Sequence, residues 1–191
     1  MTETKTYMLE PNFHPFPELA TERLVLRRTV KEDVTALFHL RSSETVMQYI
    51  DRERANNTDD IMALIGIIDE AIETNNGITW AMALKSEPAT LIGTIGLWRI
   101  LKQHFRAEIG YMLHPDHWGK GLMKEAIGAV IQYGFNDMKL HSIEAHINPG
   151  NSASAGILEK TGFVREAYFK EDFYFRGEFR DTAIYSLLAP K

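Results

Sequence analysis

The sequence predicts an α/β fold: a mixed, mostly antiparallel sheet with helices on its faces and one parallel strand–helix–strand crossover. Two observations carry that expectation. Helical spacing in Ile61, Leu64, Ile68 and Ile72 gives way to strand-like runs between residues 78 and 113. One helical stretch, 120–135, then sits between the strand-like segments Arg106–Leu113 and Ser142–Ile147, which calls for a right-handed parallel crossover. Strands and helices do not alternate throughout, so a doubly wound parallel sheet is excluded.

Residues 1–18 hold Pro11, Pro15 and Pro17 among aromatics and read as an irregular arm; residues 19–191 read as a single domain. Leu24–Arg28 is the expected first strand. Thr29 begins a helix, with Glu32 at capping-box spacing and Val30, Val34, Leu37 and Phe38 as its apolar stripe. A short helical piece is expected near Thr45–Tyr49. Thr58 caps a longer helix that Asn75-Asn76-Gly77 stops. Ile78–Leu84, Leu91–Ile100 and Arg106–Leu113 read as strands, separated by turns at Lys85–Thr90 and near Lys102–His104. His114-Pro115-Asp116 ends the third. In the crossover helix Met123, Ile127, Val130, Ile131 and Gly134 share one face. Ser142–Ile147 alternates, Asn148–Asn151 turns, and Ser152–Lys160 forms a short helix with Gly162 at its C′ position. Val164–Phe175 and Phe179–Leu188 close the chain as a hairpin through Arg176-Gly177-Glu178. The sum is about seven strands and about four helices.

The composition, with 45% hydrophobic and 25% charged residues in 191, is that of an ordinary globular protein, which excludes a disordered chain, a collagen-like chain and a coiled-coil rod. No apolar run approaches the roughly 18 residues of a membrane span, and the start of the chain lacks a signal peptide's apolar core, so a soluble cytoplasmic protein is expected. The absence of cysteine excludes disulfides, cysteine-held zinc and a protein thiol nucleophile. A net charge of −5, from 26 acids and 21 bases, argues against nucleic acid as a partner. The acid excess would suit an amine or a basic peptide, and equally serves solubility alone.

The most informative segment is His114–Ala126, in which a strand ends, a turn with Gly119, Lys120 and Gly121 follows, and a helix begins. Such a turn lets a ligand approach the backbone, and the first-turn amides of the helix point at it. Lys120 and Lys124 add positive charge. Either this is a phosphate or pyrophosphate cradle, or it is a ligand-free strand-to-helix turn. Gly121 and Leu122 follow Lys120 where a Walker loop needs Ser or Thr, and the three glycines of a dinucleotide fingerprint are missing, so ATP, GTP and NAD fit poorly. Glu108 shares a strand face with Gly110 and Met112, as a buried base or a solvent-facing acid. Ser154 stands inside the short helix after Asn151, where helix capping explains both residues, and no Gly-x-Ser-x-Gly elbow marks it as a nucleophile. His141, Glu144 and His146 do not form a metal-binding spacing, so no metal is expected.

With these residues in place, the chain resembles the GNAT N-acetyltransferase superfamily, in its RimJ/RimL-like branch of ribosomal-protein N-terminal acetyltransferases. The resemblance rests on Thr21-Glu22-Arg23-Leu24-Val25-Leu26-Arg27, on Ala107-Glu108-Ile109-Gly110-Tyr111, on His117-Trp118-Gly119-Lys120-Gly121-Leu122-Met123, and on Asn151-Ser152-Ala153-Ser154 with Glu159-Lys160-Thr161-Gly162-Phe163. In order and spacing these cover residues 21 to about 188. Trp118 and Met123 stand where the superfamily loop usually has Gln or Arg and Gly or Ala, and nothing matches the tyrosine acid that many members carry on the last helix.

The resemblance implies a GNAT-like acyl-CoA N-acyltransferase fold and acetyl-CoA as co-substrate. It implies direct attack of a primary amine on the thioester. Trp118, Gly119, Lys120, Gly121, Leu122 and Met123 would hold the diphosphate. Backbone amides of Tyr111, Met112 and Leu113, where the strand should bulge from its parallel neighbour, would stabilise the oxyanion. Asn148 and Asn151 would contact the pantetheine or adenosine part. Ser154 would donate a proton to the leaving thiolate or hydrogen-bond its sulfur. An α-amine has a pKa of about 8 and a lysine about 10.4, so a base must take the amine's proton, and Glu108 is the candidate. The expected acceptor is a protein or peptide N-terminal α-amine. A polyamine, amino sugar or antibiotic is the alternative, as is a non-catalytic acyl-CoA-binding module. A homodimer is also among the implied possibilities.

Overall fold

A computed structural model describes residues 8–191. Among them eight strands form one sheet, in the order β1-β2-β3-β4-β5-β6-β8-β7. They are β1 (Leu19–Ala20), β2 (Leu24–Arg28), β3 (Ile78–Leu84), β4 (Glu87–Leu101), β5 (Arg106–Leu113), β6 (Ser142–Ile147), β7 (Val164–Phe175) and β8 (Glu178–Leu188). The helices are α1 (Val34–Ser42), α2 (Glu44–Met47), α3 (Thr58–Glu73), α4 (Leu122–Asn136) and α5 (Ser152–Lys160). Every neighbouring pair of strands is antiparallel except β5 and β6, which α4 joins in parallel. The mixed, mostly antiparallel sheet is therefore the one expected. The extra strand is the two-residue β1, too short to show a period.

Adjacent residues of β3 point into two separate cores. Trp80 enters the larger one, with Ile95, Ile109 and Ile143 of the sheet and Ala126, Ile127 and Val130 of α4. Ala81 enters the smaller one, with Leu37 and Leu40 of α1 and Ile61 and Ile65 of α3. The sheet is thus buried on both faces at its centre, which is why β3 and β4 read as near-continuous apolar runs. Residues 8–17 hold no helix or strand, yet they are anchored. Leu9 and Phe13 are buried, and their amides bond to the Lys102 carbonyl (2.9 Å) and to Asn75 Oδ1 (2.8 Å). Residues 1–7 of the expected arm lie outside the described residues. No described helix is long and apolar enough to cross a membrane.

Three boundaries differ from the spacing. Thr29 and Glu32 do not open α1. Asp33 does the work of a cap: its carboxylate accepts the Val30 amide (2.9 Å) and both arms of Arg27 (2.7 and 2.8 Å), after a 3₁₀ turn at Lys31–Asp33. Burial decides between the two acids, because Asp33 is 2% exposed and needs its partners while Glu32 faces solvent. Asn57, not Thr58, caps α3, accepting the Asp60 amide at 3.1 Å. Strand β4 begins at Glu87 and absorbs most of the expected Lys85–Thr90 turn.

Trp80 is fully buried, packs edge-on against Tyr133 at 5.4 Å, and donates its indole N–H to the Pro17 carbonyl at 2.7 Å. Trp80→Ala should lower unfolding stability by about 4 kcal/mol in urea titrations, since it leaves a cavity and an unpaired carbonyl.

Candidate active site

The site begins where the parallel strands part. β5 and β6 pair only at Arg106↔Ser142, Ala107↔Ile143 and Glu108↔Glu144. Beyond Glu108, β5 stays in register with β4 as far as Leu113, and β6 stays with β8 as far as Ile147. The opening is a splay between two regular strands, in place of the bulge expected at Tyr111–Leu113. The irregularity sits instead on β4, between Trp98 and Leu101, where Arg99 takes a positive φ of 47°. The His114 N–H bonds across to the Ile92 carbonyl of β4 at 2.8 Å. Strand alternation then turns the Met112 amide toward β4, opposite Thr94, and the Tyr111 and Leu113 amides toward the gap.

The gap leads to the start of α4. Trp118 donates its indole N–H to the Leu113 carbonyl (2.8 Å), tying the loop to the end of β5. Gly119 and Gly121 have φ of 72° and 76°, a region that favours glycine. Gly121 is the N-cap of α4 and brings no side chain to its free amides, so these point outward without a protein acceptor. A Cβ on Gly119 would meet nothing within 4 Å, so the turn's outer side is open. Leu122 and Met123 are buried in the main core, so the bulk of Met123 points away from the turn.

On the face carrying Glu108, the ring of Trp98 lies across Gly110, where a Cβ would fall 2.1 Å from it. Glu108 is buried, and its Oε2 accepts Arg99 Nη1 at 2.8 Å. Glu144 has Arg106 Nε at 3.4 Å and His146 Nε2 at 3.5 Å. Ligand atoms of Glu108, Glu144 and His146 all lie within 4.8 Å of one another. Each carboxylate already has a guanidinium counter-ion, so the group is an ion-pair network. His141 lies outside that group and is exposed. A cavity of about 350 Å³ continues along this face, lined by Arg106, Glu144, His146, Glu166, Phe169 and Ile184 among others.

The opposite side of the gap holds a contact that sequence spacing missed. The Tyr111 hydroxyl and Ser154 Oγ are 2.8 Å apart. Burial raises the Tyr111 phenol to about 12, against the lowering effect of the Ser154 bond. Ser154 is buried, and Asn151 Oδ1 caps its amide at 3.0 Å, so the capping role is real. Asn148 Oδ1 accepts the Gly150 amide at 2.9 Å, so both side-chain oxygens already serve the local backbone and the side-chain NH2 groups of Asn148 and Asn151 remain as donors for a ligand.

Residues 23–164 match the acetyltransferase (GNAT) domain. The chain belongs to the GNAT acetyltransferases. Its relatives include the uncharacterized N-acetyltransferase YoaA of Bacillus subtilis (strain 168), 34% identical over 176 residues, which span 92% of this chain and 99% of YoaA. The ribosomal protein uS5-alanine N-acetyltransferase of Escherichia coli (strain K12) is 29% identical over 129 residues, 67% of this chain and 66% of that protein. The crystal structure of spermidine N-acetyltransferase from Vibrio cholerae in complex with CoA and spermine aligns with a TM-score of 0.76 at 26% identity, covering 86% of this chain and 95% of that one. This GNAT acetyltransferase uses acetyl-CoA. The uncapped helix start, the open outer side of the Gly119 turn and the free amides of the splay are all features that such a donor fits.

Gly121→Val places a β-branched residue at a φ of 76°. It should weaken CoA binding by at least about tenfold in calorimetric titration, by distorting the turn.

Proposed function

We propose that this N-acetyltransferase modifies the α-amino group of a protein or peptide N-terminus. One observation carries the choice: most acids around the acceptor face already have a guanidinium partner, and among the described residues only the exposed Glu166 of the cavity lining has none. Asp51 pairs with Arg180, Glu53 with Arg176, Glu108 with Arg99 and Glu144 with Arg106. A polycation would need unpaired carboxylates to replace the water it loses. The face supplies instead a cleft with a single unpaired carboxylate, Glu166, and with Phe169 and Ile184 as apolar wall, suited to one amine and the side chain beside it. The uS5-alanine enzyme among the relatives supports this reading, and the spermidine enzyme keeps a small amine as the second.

Bound acetyl-CoA supplies an acyl group activated as a thioester. Glu108 accepts the attacking amine's proton, directly or through water, on the carboxylate oxygen that Arg99 leaves free. Roughly a tenth of an α-amine is neutral at pH 7, against fewer than about one lysine in a thousand, so the base has less to do for an N-terminus. The amides of Tyr111 and Leu113 face the place where negative charge grows on the acyl oxygen. Ser154 and Tyr111 hydrogen-bond the departing sulfur. A phenol held at about 12 does not give its proton to a thiolate whose acid has a pKa of about 8.5. Their role is orientation and charge stabilisation.

Labelled acetyl-CoA incubated with the protein and equal amounts of an N-terminally free peptide mixture and spermidine should label peptide N-termini. Label found chiefly on spermidine would overturn the assignment. Glu108→Gln should lower kcat by about a hundredfold while CoA affinity stays within about twofold, and its rate should keep rising with pH as the amine deprotonates itself.

A further inference from the structure

The turn before α4 is held from behind by the segment that opens β2. Arg23 Nη1 donates to the Lys120 carbonyl at 2.9 Å, across 97 residues of sequence. The same guanidinium grips Glu125, one turn into α4, through Nε (2.8 Å) and Nη2 (2.7 Å). Glu125 Oε1 also accepts the Arg23 amide at 2.8 Å and the Thr21 hydroxyl. One carboxylate therefore receives four donors from Thr21 and Arg23. Burial opposes its ionisation, but the Thr21 and Arg23 bonds together outweigh that and hold Glu125 below its ordinary value.

Two physical consequences follow. Lys120 lies between two glycines of positive φ, so its peptide planes rotate at little steric cost. A flip of the Lys120–Gly121 peptide would replace an outward N–H with an outward carbonyl, and the Arg23 bond resists that flip. Glu125 also places a full negative charge in the first turn of the helix whose start faces the ligand, where it would repel an anion. The Arg23 charge, 2.7 Å away, cancels it at that range.

We infer that Arg23 is a positioning residue for the coenzyme A diphosphate: it keeps the amides of the Gly119–Met123 turn aimed outward and masks Glu125 from the phosphates. This rests on the reading of that turn as the diphosphate cradle. It also gives the Thr21-Glu22-Arg23 motif a role beyond opening a strand. The ion pair is partly exposed, with Arg23 45% and Glu125 17% accessible, so its worth as a mere surface brace is small.

The test compares two ligands, CoA and S-acetylpantetheine, which lacks the diphosphate, by titration followed through tryptophan fluorescence and calorimetry. Arg23→Gln should raise the dissociation constant for CoA about tenfold and leave that for S-acetylpantetheine within about twofold. Arg23→Gln combined with Glu125→Gln should bind CoA more tightly than Arg23→Gln alone, because the unmasked charge is gone. Arg23→Lys keeps a charge near Glu125 but lacks the planar fork, so it should fall between parent and Arg23→Gln. It serves as the measured variant if Arg23→Gln does not fold. CoA binding unchanged in the variant, or equal weakening of both ligands, would overturn the inference. Gly121→Val measured alongside separates the two readings. If it leaves CoA affinity intact, the cradle itself is wrong. If it weakens CoA while the Arg23 variants do not, only the role of Arg23 falls.

Discussion

Glu108 and Glu144 are the last residues at which β5 and β6 run side by side, and the proposed chemistry depends on where that pairing stops. Had the pairing continued, the Tyr111 and Leu113 amides would have been satisfied by β6, and no ligand could have entered the centre of the sheet. Unpaired donors in a sheet interior cost about 1–3 kcal/mol each when nothing replaces the lost partner. The Leu113 carbonyl, an acceptor on the same edge, is met internally by the Trp118 indole N–H. The donors are left for what enters the gap. The same parting sends β5 into the loop before α4, so the wedge and the helix start without a side-chain cap belong to one continuous piece of chain.

Charge around this wedge is arranged in pairs. Glu108 with Arg99, Glu144 with Arg106 and Glu125 with Arg23 each set a carboxylate against a guanidinium at the margin of the gap. The effect is to place single carboxylate oxygens and single backbone amides in defined directions without a strong net field. Glu108, the proposed proton acceptor, lies on one side of the sheet, and Tyr111 and Ser154, the proposed sulfur-binding pair, lie on the other.

Much of this was legible in the sequence, and the reasons are local. The period change from Arg106–Leu113 to 120–135 and back to Ser142–Ile147 marks the crossover, and α5 and β7 fall at the expected residues, because neighbouring residues carry those signals. Gly119 and Gly121 announce their turn by residue type. What stayed hidden depends on partners distant in sequence. Spacing points to Thr29 with Glu32 as the opening of α1, and only Arg27 and burial, both set by the fold, show that Asp33 takes that place. Gly110 reads as a small strand residue until the Trp98 ring covers it from the next strand. Tyr111 and Ser154 lie 43 residues apart, and no spacing rule joins them. Arg23 was visible only as part of a strand-opening motif, since its acceptors lie 97 and 102 residues later, in the turn before α4 and in the helix's first turn.

The β7–β8 hairpin adds a consequence for the setting in which the protein works. Arg176 and Arg180, at and just after its tip, reach across to Glu53 and Asp51 in the segment between α2 and α3. Arg180 also lies over the Phe175 ring at 5.2 Å. The Glu53–Arg176 bridge is exposed on both sides, so dissolved ions compete with it directly, while the more sheltered Asp51–Arg180 bridge is screened far less. Rising ionic strength therefore loosens the outer clasp first and leaves the inner one shut. The hairpin tip is thereby held to the segment between α2 and α3 by a two-stage clasp whose grip follows the electrolyte content of its surroundings.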